Sequence, residues 1–428
     1  MSGLVETLRA RGLVEAETST ELVDILEERK PVSVYCGFDP TADSLHLGNM
    51  VAIMGLAWFR RFGHTPYVIV GGATGTIGDP SGKSQERVLL TSDQADYNTA
   101  CIYKTLETIL GRAGGMQAIT MLNNRSWLEK MSFLDFLRDV GKYFRVGTMI
   151  SRESVRPRLE SEEGISYTEF SYQLLQAYDF YHLFTEYNVT CQLGGSDQWG
   201  NITAGIEFVR KRTGKEVWGI TFPLLLKSDG KKFGKSESGA VWLSEDKLSV
   251  YDFYQYLFRV SDEDVIRLLK ALTFIDLEEI AALEASMQMV KYVPNTAQKL
   301  LADEVTRLVH GEEGLKKAHQ VTEHARPGQE EVVLNEKEIL DMIGHVPFGK
   351  MKKACVVQCR ICDVVAECRF LASRADARRL IKNRGLRVGN RRIEEEFDVI
   401  HEEDLIDGKY ILFSLGKKNR AILEVVTN

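Results

Sequence analysis

Along residues 32–215, short apolar runs alternate with stretches whose apolar positions recur at helical spacing. The runs at 32–38 and 67–70 are continuous enough to be buried strands, and 118–122 and 189–193 are weaker strands of the same kind. Between the first two, Leu47, Val51, Met54 and Trp58 fall at i, i+4, i+7 and i+11, one face of a helix. Such alternation predicts an α/β fold, a mostly parallel, Rossmann-like sheet with helices on both faces. Sheets of this kind gather their ligand-binding loops at the carboxyl ends of the strands.

From 246 to 323 strand signals give way to helical ones, as in Asp252-Phe253-Tyr254-Gln255-Tyr256-Leu257-Phe258. Residues 324–350, punctuated by Arg326-Pro327-Gly328 and Pro347-Phe348-Gly349, read as a linker. The expected organisation is therefore an α/β domain over 1–245, a helical domain over 246–323, a linker, and a small α+β domain over 351–428.

Composition narrows the setting. The chain has 428 residues, 44% hydrophobic and 27% charged, the balance of an ordinary globular protein of two or three domains. No apolar run approaches the roughly 18 residues of a membrane span, so no membrane partner is expected. Seven cysteines, an odd count with no secretory apolar segment after Met1, point to a reducing cytoplasm. Cys359 and Cys362 form a CxxC within the group Cys355, Cys359, Cys362 and Cys368, but no second pair completes it, so no metal site is expected. The net charge of -7 is unevenly spread: from Lys350 onward 17 Lys and Arg face 12 Asp and Glu, leaving 37 against 49 in the remainder. A basic tail on an acidic body suggests that the tail meets a polyanion.

Four segments carry candidate chemistry. Asp39-Pro40-Thr41-Ala42-Asp43-Ser44-Leu45-His46-Leu47-Gly48-Asn49 lies where the first strand hands over to the first helix. Ser44 is placed to cap that helix. His46 then projects from its first turn, where N–H groups favour an anion, and Gly48 lets a ligand approach the backbone. Lys231-Lys232-Phe233-Gly234-Lys235-Ser236 offers two further cations around a glycine, after the apolar run 220–226. Gly78-Asp79-Pro80-Ser81-Gly82-Lys83-Ser84 approaches a P-loop but has three residues, not four, between its glycines. That cradle needs a set number of backbone N–H groups, so a P-loop kinase is disfavoured and Lys83 needs another explanation. Finally, Tyr172, Gln176 and Asp179 fall at i, i+4 and i+7, an ordered polar face on a helix expected over 167–184.

The histidine and lysine segments resemble the HIGH and KMSKS signatures of class I aminoacyl-tRNA synthetases, with Asn49 standing in place of the second histidine. Gln192-Leu193-Gly194-Gly195-Ser196-Asp197-Gln198-Trp199-Gly200-Asn201, together with Tyr35-Cys36-Gly37-Phe38-Asp39 and Thr168-Glu169-Phe170-Ser171-Tyr172, narrows the resemblance to bacterial-type tyrosyl-tRNA synthetases. It runs essentially from end to end. The resemblance implies that Tyr35 and Asp179 grip the substrate phenol, that Asp79, Tyr172 and Gln176 hold the α-ammonium, and that Gln192 approaches the reacting carboxylate. Cys36, Gly37, Asp39, Gly48, Asn49, Gly194, Asp197, Gln198 and Lys235 would meet ATP or the adenylate. Thr41 and His46 would act on the γ-phosphate, and Lys83, Arg87, Lys232 and Lys235 would close over pyrophosphate.

The same resemblance implies ATP with Mg²⁺, a tRNA partner, an anticodon-side role for 246–323, and a homodimer joined around the helices after Asn123-Asn124. Residues 373–392 hold eight basic residues and one acid, and they resemble the small alpha-L RNA-binding domain. Arg374, Arg378, Arg379, Lys382, Arg384 and Arg387 are its candidate tRNA contacts. Tryptophanyl-tRNA synthetases share the expected fold but not the phenol-gripping pair or the basic tail. A non-catalytic RNA-binding protein would not need every active position filled.

Overall fold

The computed structural model describes residues 3–82, 90–162, 164–236, 239–325, 336–343, 346–416 and 419–426, so Lys83 and Arg87 lie outside the described residues. The chain folds as two compact units, one of residues 1–249 and 253–311, the other of 250–252 and 312–428.

The first unit is built on six strands, β1 Ala16–Glu17, β2 Ser33–Phe38, β3 Thr65–Val70, β4 Thr120–Asn123, β5 Cys191–Gly195 and β6 Trp218–Phe222. Their order is β1-β6-β5-β2-β3-β4. β2 to β6 pair in parallel and the short β1 runs antiparallel on the edge. The expected strands are present with shifted ends. The apolar run 220–226 is strand only as far as Phe222, because Pro223 has no N–H for the ladder. The chain goes from β2 out through β3 to β4, then returns beside β2 with β5. Order therefore reverses between β2 and β5, the place where parallel sheets open a crevice.

The crossover helix Met50–Arg61 buries Val51, Met54 and Trp58 as their spacing predicts. It lies close on the sheet because Gly55 has no Cβ; one placed there would sit 2.2 Å from the Phe222 ring. Its entry differs from expectation. A single 3-10 turn, Leu47–Asn49, precedes the helix, and its cap is His46 rather than Ser44. The Ser44 hydroxyl instead donates to the Leu45 carbonyl at 2.8 Å. The reason is tertiary: the Leu47 N–H donates to the Val241 carbonyl and the Leu45 carbonyl accepts from the Leu243 N–H, so the chain stays extended past Ser44.

Within 246–323 the helices Val250–Phe258, Asp262–Leu272, Leu277–Ser286 and Thr296–Ala325 form as the pattern predicts. The last is interrupted at Gly311, whose φ of 78° is the left-handed region that glycine tolerates. The division between the units falls there.

The second unit holds a five-stranded sheet with Phe348–Lys352 at one edge, parallel to Asn419–Val426. The helices Ile361–Glu367 and Arg374–Lys382 pack their apolar sides, including Val365, Ala377 and Ile381, into its core. The helix Glu336–Met342 falls inside the stretch read as linker, and the strand Phe348–Lys352 begins in it and runs past its end. The strand is five residues long and finds its partner only at the end of the chain, so no local pattern announces it. Cys362 is buried in this core, while the Cys368 thiol lies 3.1 Å from the Met351 sulfur.

Candidate active site

A cavity of about 390 Å³ opens at the carboxyl ends of β2 and β5, a size suited to a small-molecule ligand. Tyr35, Cys36, Gly37, Asp39, Thr41, His46, Gly48, Asn49, Asp79, Tyr172, Gln176, Asp179, Gln192, Gly194, Asp197, Gln198, Lys232 and Lys235 all line it. Residues as far apart in sequence as Tyr35 and Lys235 are thus brought to one crevice by the sheet order.

At the deep end stands Asp179, 3% exposed. Its Oδ1 accepts from Trp127 Nε1 at 2.7 Å and its Oδ2 from Asn124 Nδ2 at 2.9 Å. Burial pushes this carboxyl up to about 7, against the pull of those two donors. Asn124 cannot turn over, because its Oδ1 accepts from the Ala73 N–H at 2.9 Å. Its second donor hydrogen goes to Thr74 Oγ1, also at 2.9 Å. The phenol of Tyr35 is buried beside Asp179, and burial with that neighbouring charge raises it well above the usual tyrosine value.

Asp39 is drawn into the same network. Its Oδ1 accepts from Thr74 Oγ1 at 2.7 Å and its Oδ2 from the Tyr172 phenol at 2.8 Å. Gly71 leaves the space for this, since a Cβ there would lie 2.0 Å from Asp39 Oδ1. Asp79 accepts from the Ser81 N–H at 2.9 Å and from Gln198 Nε2 at 2.7 Å. The Ser81 N–H therefore serves an aspartate turn rather than a phosphate cradle, as the spacing of that segment implies. Gln176 Nε2 donates to Gln198 Oε1 at 3.1 Å, which leaves its own carbonyl oxygen turned elsewhere.

Among the described residues, several buried polar atoms have no hydrogen-bond partner, and three of them belong to side chains lining this cavity: Tyr35 Oη, Gln176 Oε1 and Gln192 Oε1. Orphaned buried polar atoms are costly, so a set of them around one cavity marks the outline of an absent polar ligand. The set offers one hydroxyl and two carbonyls, with Asp179 and Asp79 close by. It suits a ligand bearing a hydroxyl at one end and a cationic donor at the other.

Towards the cavity mouth the two signature segments meet. The His46 Nδ1 accepts from the Gly48 N–H at 3.1 Å, and the His46 N–H donates to Asn49 Oδ1 at 3.0 Å. With Nδ1 accepting, a neutral imidazole carries its proton on Nε2, where it is a donor. The sequence expectation for Gly48 is that it admits a ligand; a Cβ there would sit 2.9 Å from the His46 ring, so its visible role is to let that ring fold back. Gly234 has φ of 84°, and a Cβ on it would lie 3.0 Å from the Gly48 nitrogen. Gly234→Ala is therefore expected to lower stability by about 1–3 kcal/mol through strain. Thermal unfolding of the variant beside wild type would check it. Lys232 and Lys235 stand exposed on the rim beyond.

Sequence reasoning missed Asn124, Trp127 and Thr74. Asn124 directly follows β4, so position at a strand's carboxyl end was the available signal. Nothing local marks the other two.

In the second unit, Arg374, Arg378, Arg379 and Lys382 are exposed on the helix Arg374–Lys382, which buries Ala377 and Ile381. The three arginines have carboxylate partners, Asp363, Glu396 and Asp376 respectively. Such exposed pairs contribute only about 0–1 kcal/mol, so a phosphate can replace the carboxylate. Arg384 and Arg387 follow, the latter donating to the Asn390 carbonyl at 3.0 Å. Arg391 is different: it forms a two-pronged pair with the buried Asp404 and serves the fold.

Residues 27–325 match the family described as tRNA synthetases class I (W and Y), and residues 338–423 match the tyrosine–tRNA ligase SYY-like C-terminal domain. The chain is 53% identical over 426 residues to a tyrosine–tRNA ligase of Protochlamydia amoebophila, covering 100% of both. It is 50% identical to the chloroplastic/mitochondrial tyrosine–tRNA ligase of Arabidopsis thaliana, covering 99% of this chain and 83% of that one. Among solved structures, a C-terminally truncated mitochondrial tyrosyl-tRNA synthetase of Aspergillus nidulans superposes with a TM-score of 0.67 at 32% identity, covering 74% of this chain and 92% of that chain.

Proposed function

The chain belongs to the tyrosine–tRNA ligases, a class I aminoacyl-tRNA synthetase family, and from that premise we propose how its cavity divides the work. The enzyme activates L-tyrosine with ATP to tyrosyl-adenylate and pyrophosphate, then passes tyrosine to the 3′-terminal ribose of its tRNA. The observation that carries the assignment of roles is the trio of orphaned buried atoms on side chains around the cavity, Tyr35 Oη, Gln176 Oε1 and Gln192 Oε1.

Tyrosine enters with its phenol inward. The phenol O–H donates to Asp179 and accepts from Tyr35. Its ammonium sits among Asp79, Gln176 Oε1 and Tyr172, whose ring is held by Asp39. Asp39 keeps its assignment to the nucleotide side by resemblance. Gln192 faces the carboxylate, which attacks the α-phosphorus in line as pyrophosphate leaves, so no covalent enzyme intermediate is required. Cys36, Gly37, Gly194, Asp197 and Gln198 cradle the ribose, with Gly48 and Asn49 beneath the triphosphate. Thr41, the Nε2–H of His46, Lys232 and Lys235 oppose charge as it spreads over the departing pyrophosphate, an interaction strongest in the transition state. Lys83 and Arg87 are assigned to the same task by resemblance alone.

Magnesium would arrive on ATP and neutralise the phosphates, its ligands being their oxygens. Asp39 and Asp79 each accept two hydrogen bonds from protein donors. A homodimer is supported by the exposed Phe133, Leu134 and Val146 on the segments after β4. A cytoplasmic location is supported by the cysteine composition alone. Among the described residues no helix is long and apolar enough to cross a membrane. The basic helix of the second unit is assigned to tRNA phosphates, and residues 246–323 to its anticodon side.

Tyrosine-dependent ATP–pyrophosphate exchange tests the assignment, and its absence from folded protein would refute it. The pH dependence follows from Asp179. Burial favours its neutral form and pushes the carboxyl up to about 7. Accepting the phenol proton requires the ionised form. Tyrosine binding is therefore full above pH 7 and lost as pH falls, with KM for tyrosine rising about tenfold per unit below the transition. A KM for tyrosine unchanged between pH 8 and pH 6 would contradict it.

A further inference from the structure

Residues 239–247 are placed so as to tie the two signature segments together. Gly239–Ala240 pairs antiparallel with Lys235–Ser236, Ala240 opposite Lys235. Immediately after, Val241 donates its N–H to the Gly234 carbonyl at 2.9 Å and accepts from the Leu47 N–H at 2.8 Å. Trp242 bridges antiparallel to His46, Leu243 donates to the Leu45 carbonyl at 2.9 Å, and the Ser244 N–H donates to Ser44 Oγ at 3.1 Å. One extended strap thus runs from Lys235 of one segment to His46 of the other.

Its side chains alternate as a strand requires. Val241 and Leu243 are buried, whereas Trp242 is half-buried and lines the cavity. The indole lies 6.4 Å from the His46 ring, centroid to centroid. The ammonium of Lys247 stands 4.8 Å from the indole centroid, within cation–π range. That ammonium is also 2.5 Å from Asp43 Oδ1, in the histidine segment. A turn places it there, the Lys247 N–H donating to the Ser244 carbonyl at 3.2 Å.

We propose that Trp242, clamped by the Asp43–Lys247 ion pair, is a positioning residue that holds His46 and Lys235 in a common frame for the ATP phosphates. The proposal rests on the reading of those two residues given above. Lys235 sits opposite Ala240, two positions from Trp242, so displacing the indole shifts the strand that carries the lysine. His46 is bridged to the backbone of the same tryptophan. Tyrosine binding, at the other end of the cavity, does not depend on the strap.

The test uses full-length protein carrying Asp43→Lys, Lys247→Asp, the double exchange, or Trp242→Ala, with Trp242→Phe as the conservative partner of the last. Each charge reversal is expected to lower kcat/KM for ATP in pyrophosphate exchange by about five-fold or more, the scale of one half-exposed pair turned repulsive, while leaving KM for tyrosine unchanged. The double exchange restores most of the loss, and Trp242→Phe retains more activity than Trp242→Ala. A merely structural role would move the melting temperature without separating the two substrates or responding to the exchange. The inference is overturned if wild type is active yet the single reversals stay within two-fold of it, or if the double exchange is no better than the worse single. An inactive but folded wild type would instead overturn the reading of the site itself.

Discussion

Replacing Asp179 by alanine is expected to lower tyrosine-dependent pyrophosphate exchange by about two orders of magnitude, since the substrate phenol loses a hydrogen bond to a charged group, worth about 1.5–3 kcal/mol, and two buried donors lose the acceptor that shapes the site. The carboxylate is the acceptor for Trp127 Nε1 and Asn124 Nδ2. Alanine leaves both donors buried without a partner and gives the substrate phenol nothing to donate to. Asparagine is no conservative substitute. Both carboxylate oxygens receive an N–H, so an amide must turn its own N–H₂ toward one of those donors. Asn124 cannot rotate to oblige, because the Ala73 N–H holds its carbonyl. Asp179→Asn should therefore lose most of what Asp179→Ala loses, with the damage in kcat/KM for tyrosine. Thermal unfolding run in parallel separates an unfolded protein from an inactive one. Exchange at the wild-type rate in folded Asp179→Ala would sink the role given to this residue.

The second large effect concerns charging rather than activation. Arg378, Arg379 and Lys382 lie on a helix whose other side is core, so reversing them leaves Ala377 and Ile381 in place. Arg378→Glu/Arg379→Glu/Lys382→Glu in the full chain is expected to leave pyrophosphate exchange within two-fold of wild type. Aminoacylation kcat/KM should fall about 10²-fold at 0.15 M salt. The log–log salt slope should become shallower by about two to three units, close to one for each phosphate that is no longer neutralised. Glu396 and Asp376, the partners of Arg378 and Arg379, would then face glutamates, which adds repulsion to the missing attraction. Charging that keeps the wild-type salt slope would remove tRNA phosphates as the partners of this helix.

Much of the fold and of the site can be read from local pattern. Tyr172, Gln176 and Asp179 share a helix face because the helix repeat is set by bonds four residues apart, and Tyr167–Tyr187 forms as that repeat requires. The strand–helix alternation likewise implies a parallel sheet, and with it a crevice at the strands' carboxyl ends. The partners of Asp179 were not legible. Asn124 and Trp127 lie 55 and 52 residues away from it; only the place of Asn124 just after β4 hinted at a role, and nothing local distinguishes Trp127 from a core residue. The cap of the first crossover helix is misplaced by sequence reasoning on similar grounds: Ser44 is a good capping residue locally, but the extended segment 241–244 claims the backbone beside it.

By itself the sequence determined most of the elements of the first unit and which side chains each could present, because helix and strand periodicities depend on neighbours a few residues apart. It also determined the chemistry on offer: phenols, amides and carboxylates for one end of a ligand, and a histidine and lysines for the other. Tertiary structure alone decided the sheet order that gathers them between β2 and β5, the donors that orient Asp179, and the burial that lifts its carboxyl to about 7. It also decided that the histidine and lysine segments share a strap. Burial and pairing at these sites arise from packing between distant segments, and charge in a buried place depends on everything around it rather than on its neighbours in the chain.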